Sequence, residues 1–387
     1  MAPHGPIFGG MSAPVIIDAA RTPYGKRGGA LAGIHAVDLL GRAQRGVLDR
    51  LDLDPGLVDE IIGGCVTQAG EQSNNVSRFA WLHAGFPETT GATTIDAQCG
   101  SAQQAVHLLA AQIAGGLIDV GLACGVESMS RVPLLSNLGE VGRPRPEDWK
   151  VDLPAQFEAA DRIAERRGLG REDLDAFGLQ SQQRARTAWD EGRFDRQIVP
   201  VTLPDGSTFT RDEGLRETSA EKLATLAPIR EGGLHTAGTS SQISDGATAA
   251  VLMSEERARE LGHRPRARLV AQTLIGAETS YLLDGPVEVA RRLLDRTGMS
   301  IADIDLFEVN EAFAAVPLSF AQVHGVDPGK LNANGGAIAL GHPVGSTGIR
   351  LIASIVDELE RRDQTLGMVA ICAGGAMATG AIIERLT

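Results

Sequence analysis

The feature that most constrains this chain is an internal repeat. Three short segments of the first half recur in the second half in the same order, and the two members of each pair lie about 245 residues apart. The pairs are centred on Asp59 and Asp305, on Cys99 and His342, and on Cys124 and Cys372. Such a repeat predicts two similar halves, each built from strands and helices.

Within each half, apolar runs rich in β-branched residues alternate with helical periodicity, as in 37–51 and 287–294. This alternation is typical of an α/β fold in which helices are layered against sheets. Between the halves, charged and apolar residues interleave at helical spacing, which predicts an inserted, mainly helical lobe.

The predicted domain organisation therefore has three parts. Residues 1–130, completed by 236–263, form an N-terminal half, and residues 264–387 form a C-terminal half. Residues 131–235 form the inserted loop domain.

Composition excludes several classes of function. The chain has 36 Lys and Arg against 49 Asp and Glu, a net charge of −13, which disfavours a nucleic-acid module or a protein that binds anionic membranes. Its four cysteines form no CxxC pair and match no zinc-finger spacing, so we predict neither a disulfide framework nor a metal site. A reducing cytoplasm fits this cysteine usage.

Two segments were compared with the patterns of a signal peptide and of a transmembrane helix, and neither segment fits. The first eleven residues lack the basic and apolar regions of a signal peptide, and we predict a flexible extension. The uncharged run 365–383 is long enough to span a membrane, but its four Gly and two Thr indicate a strand, a turn and a second strand. No transmembrane segment is predicted.

Three residues at Gly-rich junctions are candidates for chemistry. Cys99 lies between a strand-like and a helix-like run, where a helix N-terminus lowers the pKa of a thiol. His342 precedes Pro343 in a Gly-rich turn, and Cys372 precedes the turn that begins at Gly374. A nucleophile, an imidazole and free backbone N–H groups are the parts of an acyl-transfer site. These residues predict an acidic, nucleophilic Cys99.

The chain resembles the thiolase family in four blocks that follow one another in the family's order. They are QCGSAQQA around Cys99, NEAF at Asn310 to Phe313, NANGGAIALGHPVGSTG around His342, and CAGG from Cys372. RTPYGKRGGAL, GVESMSR and HTAGTSSQISDGATAAVLMS add to the resemblance, which covers nearly all of 13–387. It implies an α/β thiolase-like fold of two duplicated αβαβα halves with an inserted loop domain.

The resemblance also implies a role for each site residue. Cys99 would take the acyl group as a thioester, and His342 would activate it. His342 and a water held by Asn310 would form one oxyanion hole, and the N–H groups of Cys99 and Gly374 would form a second. Cys372 would move the proton of the attacking or leaving group.

Coenzyme A is the implied partner, as free CoA or as an acyl-CoA, with no permanently bound cofactor. By resemblance, Ser241 contacts the pantetheine arm, and Ala312 and Phe313 line its channel. The family also implies a homodimer or a homotetramer, the latter built through the lobe near 131–150.

Substrate preference is indicated by a departure from the family. Ala155, Gln156 and Phe157 stand where many thiolases have a His-Met-Gly segment over the acyl pocket. The QFEAAD segment resembles thiolases that shorten sterol side chains. We therefore predict thiolytic cleavage of a bulky 3-ketoacyl-CoA to acetyl-CoA or propionyl-CoA and a shortened acyl-CoA, in fatty-acid or steroid side-chain β-oxidation.

Three alternative functions compete with this prediction. A biosynthetic acetoacetyl-CoA thiolase would use the same catalytic groups in the direction of condensation. A ketoacyl synthase uses one Cys with two His, and the NEAF and CAGG blocks argue against it. A non-catalytic acyl-CoA or lipid binding protein would be expected only if Cys99, His342 or Cys372 were missing.

Overall fold

The computed structural model describes residues 12–139 and 142–386. Its strands are β1 (Pro14–Arg21), β2 (Gly25–Lys26), β3 (Glu60–Gly64), β4 (Gly91–Ile95), β5 (Val120–Ser128), β6 (Val201–Thr202), β7 (Thr208–Phe209), β8 (Ser244–Ser254), β9 (Ala267–Gly276), β10 (Leu306–Val309), β11 (Leu366–Ala373) and β12 (Met377–Arg385). The predicted extension, residues 1–11, lies outside the described residues.

The helices cover both halves and the segment between them. They are α1 (Ala36–Leu51), α2 (Val76–His83), α3 (Ser101–Ala114), α4 (Gln156–Arg167), α5 (Arg171–Asp190), α6 (Ala220–Ala224), α7 (Glu255–Glu260), α8 (Gly285–Thr297), α9 (Ala315–His324), α10 (Ala337–Leu340) and α11 (Thr347–Arg362). Among the described residues, no helix is long and apolar enough to cross a membrane, and no group of three metal-ligating side chains occurs.

The sheet displays the predicted duplication. Its order is β10-β11-β12-β9-β1-β8-β5-β3-β4, with β1 and β9 antiparallel at the centre. Outward from the centre, each half runs through two antiparallel pairings and then a parallel one, β1-β8-β5-β3 and β9-β12-β11-β10. β4 then pairs parallel with β3, and a parallel bridge from Leu331 to Phe307 takes the same place beside β10.

Two aspartates fix the register of the repeat and correct one predicted match. The Asp59 carboxylate accepts the N–H groups of Asp119 and Val120, and Asp305 accepts those of Thr365 and Leu366. Val120 therefore corresponds to Leu366. Counting along β5 and β11 from there, Cys124 corresponds to Ala370, so the predicted match of Cys124 with Cys372 is wrong by two residues.

Helices cover and separate the two halves of the sheet. One apolar cluster packs α1 and α2 on the outer face of the first half, and another packs α8 and α9 on the outer face of the second. The third cluster holds α3 and α11 between the halves. Five layers result, in the order helix, sheet, helix, sheet, helix, so the predicted αβαβα architecture is confirmed.

The described part of 131–235 contains α4, α5, α6 and the short β6–β7 ribbon, off the large sheet. The domain boundaries themselves stay predictions. The run 365–383 forms β11, a turn and most of β12, which confirms the predicted strand, turn and strand.

Candidate active site

Cys99 lies on a tight connection between β4 and α3. Asp96 accepts the N–H of Gln98 at 2.7 Å, and Gln98 has a φ of 53°, a left-handed conformation that costs free energy in a non-glycine residue. Gly100 follows as the N-cap of α3, and a Cβ there would lie 2.7 Å from Thr379. The connection therefore places Cys99 immediately before the helix N-terminus, as the sequence predicts.

The protonation state of Cys99 differs from the prediction. Its side chain is buried, and burial raises the pKa of the thiol to about 12, although the N–H groups of Gly374 and of Cys99 itself donate to the sulfur. Removal of the thiolate from water costs more free energy than these donors return. The expectation of an acidic Cys99 is therefore wrong, and the residue is a neutral thiol.

His342 is held in a single orientation by the start of α11. Its Nδ1 lies 2.7 Å from Oγ1 of Thr347, and the Thr347 hydroxyl donates to the carbonyl of Pro343 at 2.9 Å. Because that hydroxyl proton is already used, Nδ1 must donate to Oγ1. Nε2 then carries the lone pair, which accepts a hydrogen bond from Nδ2 of Asn310 at 3.3 Å. Burial, together with the nearby Arg350 charge, lowers the pKa of His342 to about 3.

The turn that carries His342 is anchored by Glu127, a residue for which the sequence predicted no role. The buried Glu127 carboxylate accepts the N–H of Gly345 at 3.0 Å and also those of Val66 and Thr67, at 3.0 Å each. It therefore joins the His342 turn to the loop after β3. Glu127 lies in the GVESMSR block, and its contact with Gly345 could not be predicted because the partner is distant in sequence.

Asn310 follows β10 and is fully buried. Its N–H donates to the carbonyl of Ala370, which fixes its backbone beside β11. Among the described residues, Oδ1 of Asn310 has no hydrogen-bond partner. A buried amide oxygen with a free lone pair can accept a hydrogen bond from water or substrate.

Cys372 and Gly374 stand where β11 turns into β12. Cys372 is fully buried, and burial raises the pKa of its thiol. A thiolate at Cys99 would raise it further, so the two sulfur atoms lie near each other. A Cβ on Gly374 would lie 2.7 Å from Oε1 of Gln98, so glycine allows the turn to approach the nucleophile. The structure therefore places Cys372 and Gly374 beside Cys99, and it places Asn310 beside His342.

The predicted CoA-binding residues form a second group beside the first. The Ser241 N–H donates to the carbonyl of Ala312 at 2.9 Å, and Ser240 pairs with Phe313 in an antiparallel bridge. The Phe313 ring meets Phe157 edge to face at a centroid distance of 4.8 Å. Gln156 is exposed at the start of α4, whereas Phe157 is half-buried.

An open cavity of about 210 Å³ lies next to the loop that carries Ser241. Its lining contains the cations Arg216 and Lys222, the anion Glu217, and Gly238, which is three residues before Ser241. Single basic residues in a charged lobe carry no local signal, so the place of these cations could not be predicted from the sequence.

Comparison with known proteins gives one consistent family. Residues 14–256 match the thiolase N-terminal domain, and residues 263–385 match the thiolase C-terminal domain. A steroid 3-ketoacyl-CoA thiolase of Mycobacterium tuberculosis is 45% identical, with 97% of this chain and 95% of that protein covered. The beta-ketoadipyl-CoA thiolase of Escherichia coli is 40% identical, with 96% and 99% covered. The crystal structure of the Bacillus anthracis acetyl-CoA acetyltransferase has a TM-score of 0.90 at 36% identity, with 97% and 100% covered.

Proposed function

Because this chain belongs to the thiolase family, we propose that it is an acyltransferase that cleaves a 3-ketoacyl-CoA with CoA through an acyl thioester on Cys99. The observation that carries the proposal is a buried thiol at Cys99 together with a buried imidazole at His342 whose Nδ1 donates to Thr347, so that Nε2 carries the basic lone pair. The four free cysteines fit a reducing compartment, and we place this activity in the cytoplasm.

In the first step, the Cys99 sulfur attacks the 3-keto carbon while its proton passes to Nε2 of His342. A neutral pair suits this step because no ion pair has to be desolvated before substrate arrives. The tetrahedral oxyanion is stabilised by donors on Asn310 and His342, directly or through a water at the free Asn310 oxygen.

In the second step, the bond between carbons 2 and 3 breaks, and the departing acetyl-CoA carbanion takes the proton of Cys372. The acyl group remains on Cys99. The resulting Cys372 thiolate accepts the proton of incoming CoA, whose sulfur attacks the Cys99 thioester. The bond between the acyl carbon and the Cys99 sulfur then breaks, and the released Cys99 thiolate recovers its proton from Nε2 of His342. The N–H groups of Gly374 and Cys99, which already converge on the Cys99 sulfur, stabilise the second oxyanion. The same groups serve condensation when the steps run in reverse.

The position of CoA follows from the second group of residues. The hydrogen-bonded residues Ser241 and Ala312 would lie along the pantetheine arm. Arg216 and Lys222, in the neighbouring cavity, would offer positive charge to the phosphates of CoA. This local charge is needed because the whole chain carries a net charge of −13.

The test is covalent capture. After incubation with acetyl-CoA, intact mass spectrometry should detect one added acetyl group on the wild-type protein and none on Cys99→Ala. Peptide mapping of the wild-type adduct should locate the acetyl group on Cys99. An unmodified wild-type protein, or an acetyl group that persists in Cys99→Ala, would disprove the proposed acyl-enzyme.

A bulky acyl group is the proposed substrate preference. Phe157 puts an aromatic ring against Phe313 at the channel, and one apolar contact is worth roughly 10- to 200-fold in specificity. The name of the mycobacterial relative, a steroid thiolase, agrees with this preference.

A further inference from the structure

One face of α4 carries two side chains that reach the same region of the proposed channel. Phe157 and Asp161 are four residues apart on this helix, so they project from one side of it. Phe157 packs against Phe313 with an interplanar angle of 77°. Asp161 is buried and does not touch the proposed catalytic groups in any hydrogen bond of the described residues.

Asp161 holds His235, a buried histidine that the proposed mechanism does not use. Oδ1 of Asp161 lies 2.9 Å from Nδ1 of His235 and accepts the N–H groups of Leu234 and His235 at 3.0 and 3.2 Å. Oδ2 faces Arg230 at 3.1 Å. Burial alone would raise the pKa of Asp161, but the hydrogen bonds from His235 and the backbone lower it to about 2. Asp161 is therefore a carboxylate at neutral pH.

His235 in turn contacts the segment that contains Phe313. Its ring meets the Phe313 ring edge to face at a centroid distance of 5.5 Å and an angle of 83°. Its Nε2 accepts the N–H of Ala315 at 3.4 Å. Phe313 is therefore held by two aromatic contacts, one from Phe157 and one from His235, and α4 controls both.

We propose that Asp161 and His235 are positioning residues that set acyl-chain selectivity by fixing the Phe313 ring against Phe157 as a rigid wall of the acyl-CoA channel. This inference rests on the proposed function. A ring held from two sides loses little side-chain entropy when an apolar acyl group packs on it. A large flat acyl group gains most from such a wall, and an acetoacetyl group is too short to use it.

Asp161→Ala and His235→Ala separate this role from a general effect on stability. We expect each variant to lower kcat/KM for a 3-ketoacyl-CoA that carries a steroid ring system about tenfold more than kcat/KM for acetoacetyl-CoA, mainly through KM. Asp161→Asn should restore most of the selectivity, because all three hydrogen bonds that orient His235 end on Oδ1, which the amide retains. A merely ionic role toward Arg230 would be lost in both Asp161 variants.

Asp59→Ala is the matched control, since Asp59 also accepts two backbone N–H groups but is remote in sequence from α4 and Phe313. Asp59→Ala should change kcat/KM for both substrates by the same factor. Equal losses for both substrates in Asp161→Ala and His235→Ala, or no rescue by Asp161→Asn, would overturn the inference. If Asp161→Ala does not fold, His235→Ala decides by the same ratio. Failure of the proposed function is distinguishable, because wild-type protein would then cleave neither substrate.

Discussion

At the scale of single residues, burial rather than the helix dipole controls the chemistry of Cys99. With a pKa near 12, thiolate absorbance in the ultraviolet should differ little between wild type and Cys99→Ala below about pH 9. The absorbance difference should grow only at higher pH. A titration step below neutrality that disappears in Cys99→Ala would show instead that the thiol is acidic.

His342 and Cys372 should each be indispensable for turnover. Loss of a general acid or base lowers a reaction rate about 100- to 10,000-fold. We therefore expect the steady-state rate of thiolysis to fall by that factor in His342→Ala and in Cys372→Ala, while the circular dichroism spectrum stays unchanged. Cys124→Ala is the control, because Cys124 is equally buried but corresponds to Ala370 in the repeat and faces Gln44. Full activity in either test variant would remove that residue from the proposed mechanism.

Buried neutral histidines should make the fold sensitive to acid. Burial lowers the pKa of His107 to about 3, while an unfolded histidine titrates near 6.5. The stability that this residue contributes is therefore fully present above pH 6.5 and is lost as the pH falls toward 3. Between pH 6.5 and 5 the loss is about 2 kcal/mol. In urea unfolding, His107→Leu should lose about 2 kcal/mol less stability than the wild-type protein between pH 6.5 and 5. Equal losses of stability in the two proteins would contradict the low pKa of His107.

At the scale of elements, local signals were predictable and long-range contacts were not. Glycines, a proline and apolar periodicity predict the strand, turn and helix around Cys99 and His342, so the positions of these elements follow from the sequence. The match of Cys124 to Cys372 failed because a two-residue slip keeps every side chain on the same face of a strand. Glu127 and Thr347 escaped notice because their roles depend on partners that only the folded chain brings near.

The same limit applies to the thiol of Cys99. Its place before a helix was predictable from the sequence, but its protonation state depends on desolvation by residues from both halves. Likewise, the substitution at 156–157 indicated a changed pocket wall, yet only the structure separates the exposed Gln156 from the packed Phe157.

Helix α4 should determine acyl preference through Phe157. Phe157→Ala removes the edge contact with Phe313 and the ring surface on which a bulky acyl group would pack, and the space left behind supplies no replacement contact. We expect kcat/KM for a steroid-bearing 3-ketoacyl-CoA to fall about tenfold, with acetoacetyl-CoA little changed. Gln156→Ala, at the exposed neighbour, is the control. If acetoacetyl-CoA is already the best wild-type substrate, the proposed preference for bulky chains is wrong.

At the scale of the whole molecule, the sheet ends in an open edge at β4, which in the described residues pairs with β3 only. A shallow cavity of about 410 Å³ lies beside this edge and includes Leu108 and Leu117, which are 37% and 59% exposed. An unpaired edge strand next to exposed apolar side chains favours pairing with another chain.

The predicted oligomer should therefore form through this edge first. Light scattering at micromolar concentration should give about twice the chain mass of 40.6 kDa, or four times if the exposed leucines of the 131–150 lobe add a second contact. Leu108→Glu places a charge at the edge, and since the side chain is already partly exposed, the monomer should lose less than about 0.5 kcal/mol of stability. The expected result is a shift of the measured mass toward 40.6 kDa, with no larger change in melting temperature than this loss of stability would cause.

Leu134→Glu, in the lobe, should convert a tetramer to a dimer but leave a dimer intact. A wild-type protein of 40.6 kDa would refute the predicted oligomer, and a Leu108→Glu protein that stays dimeric would move the interface away from β4.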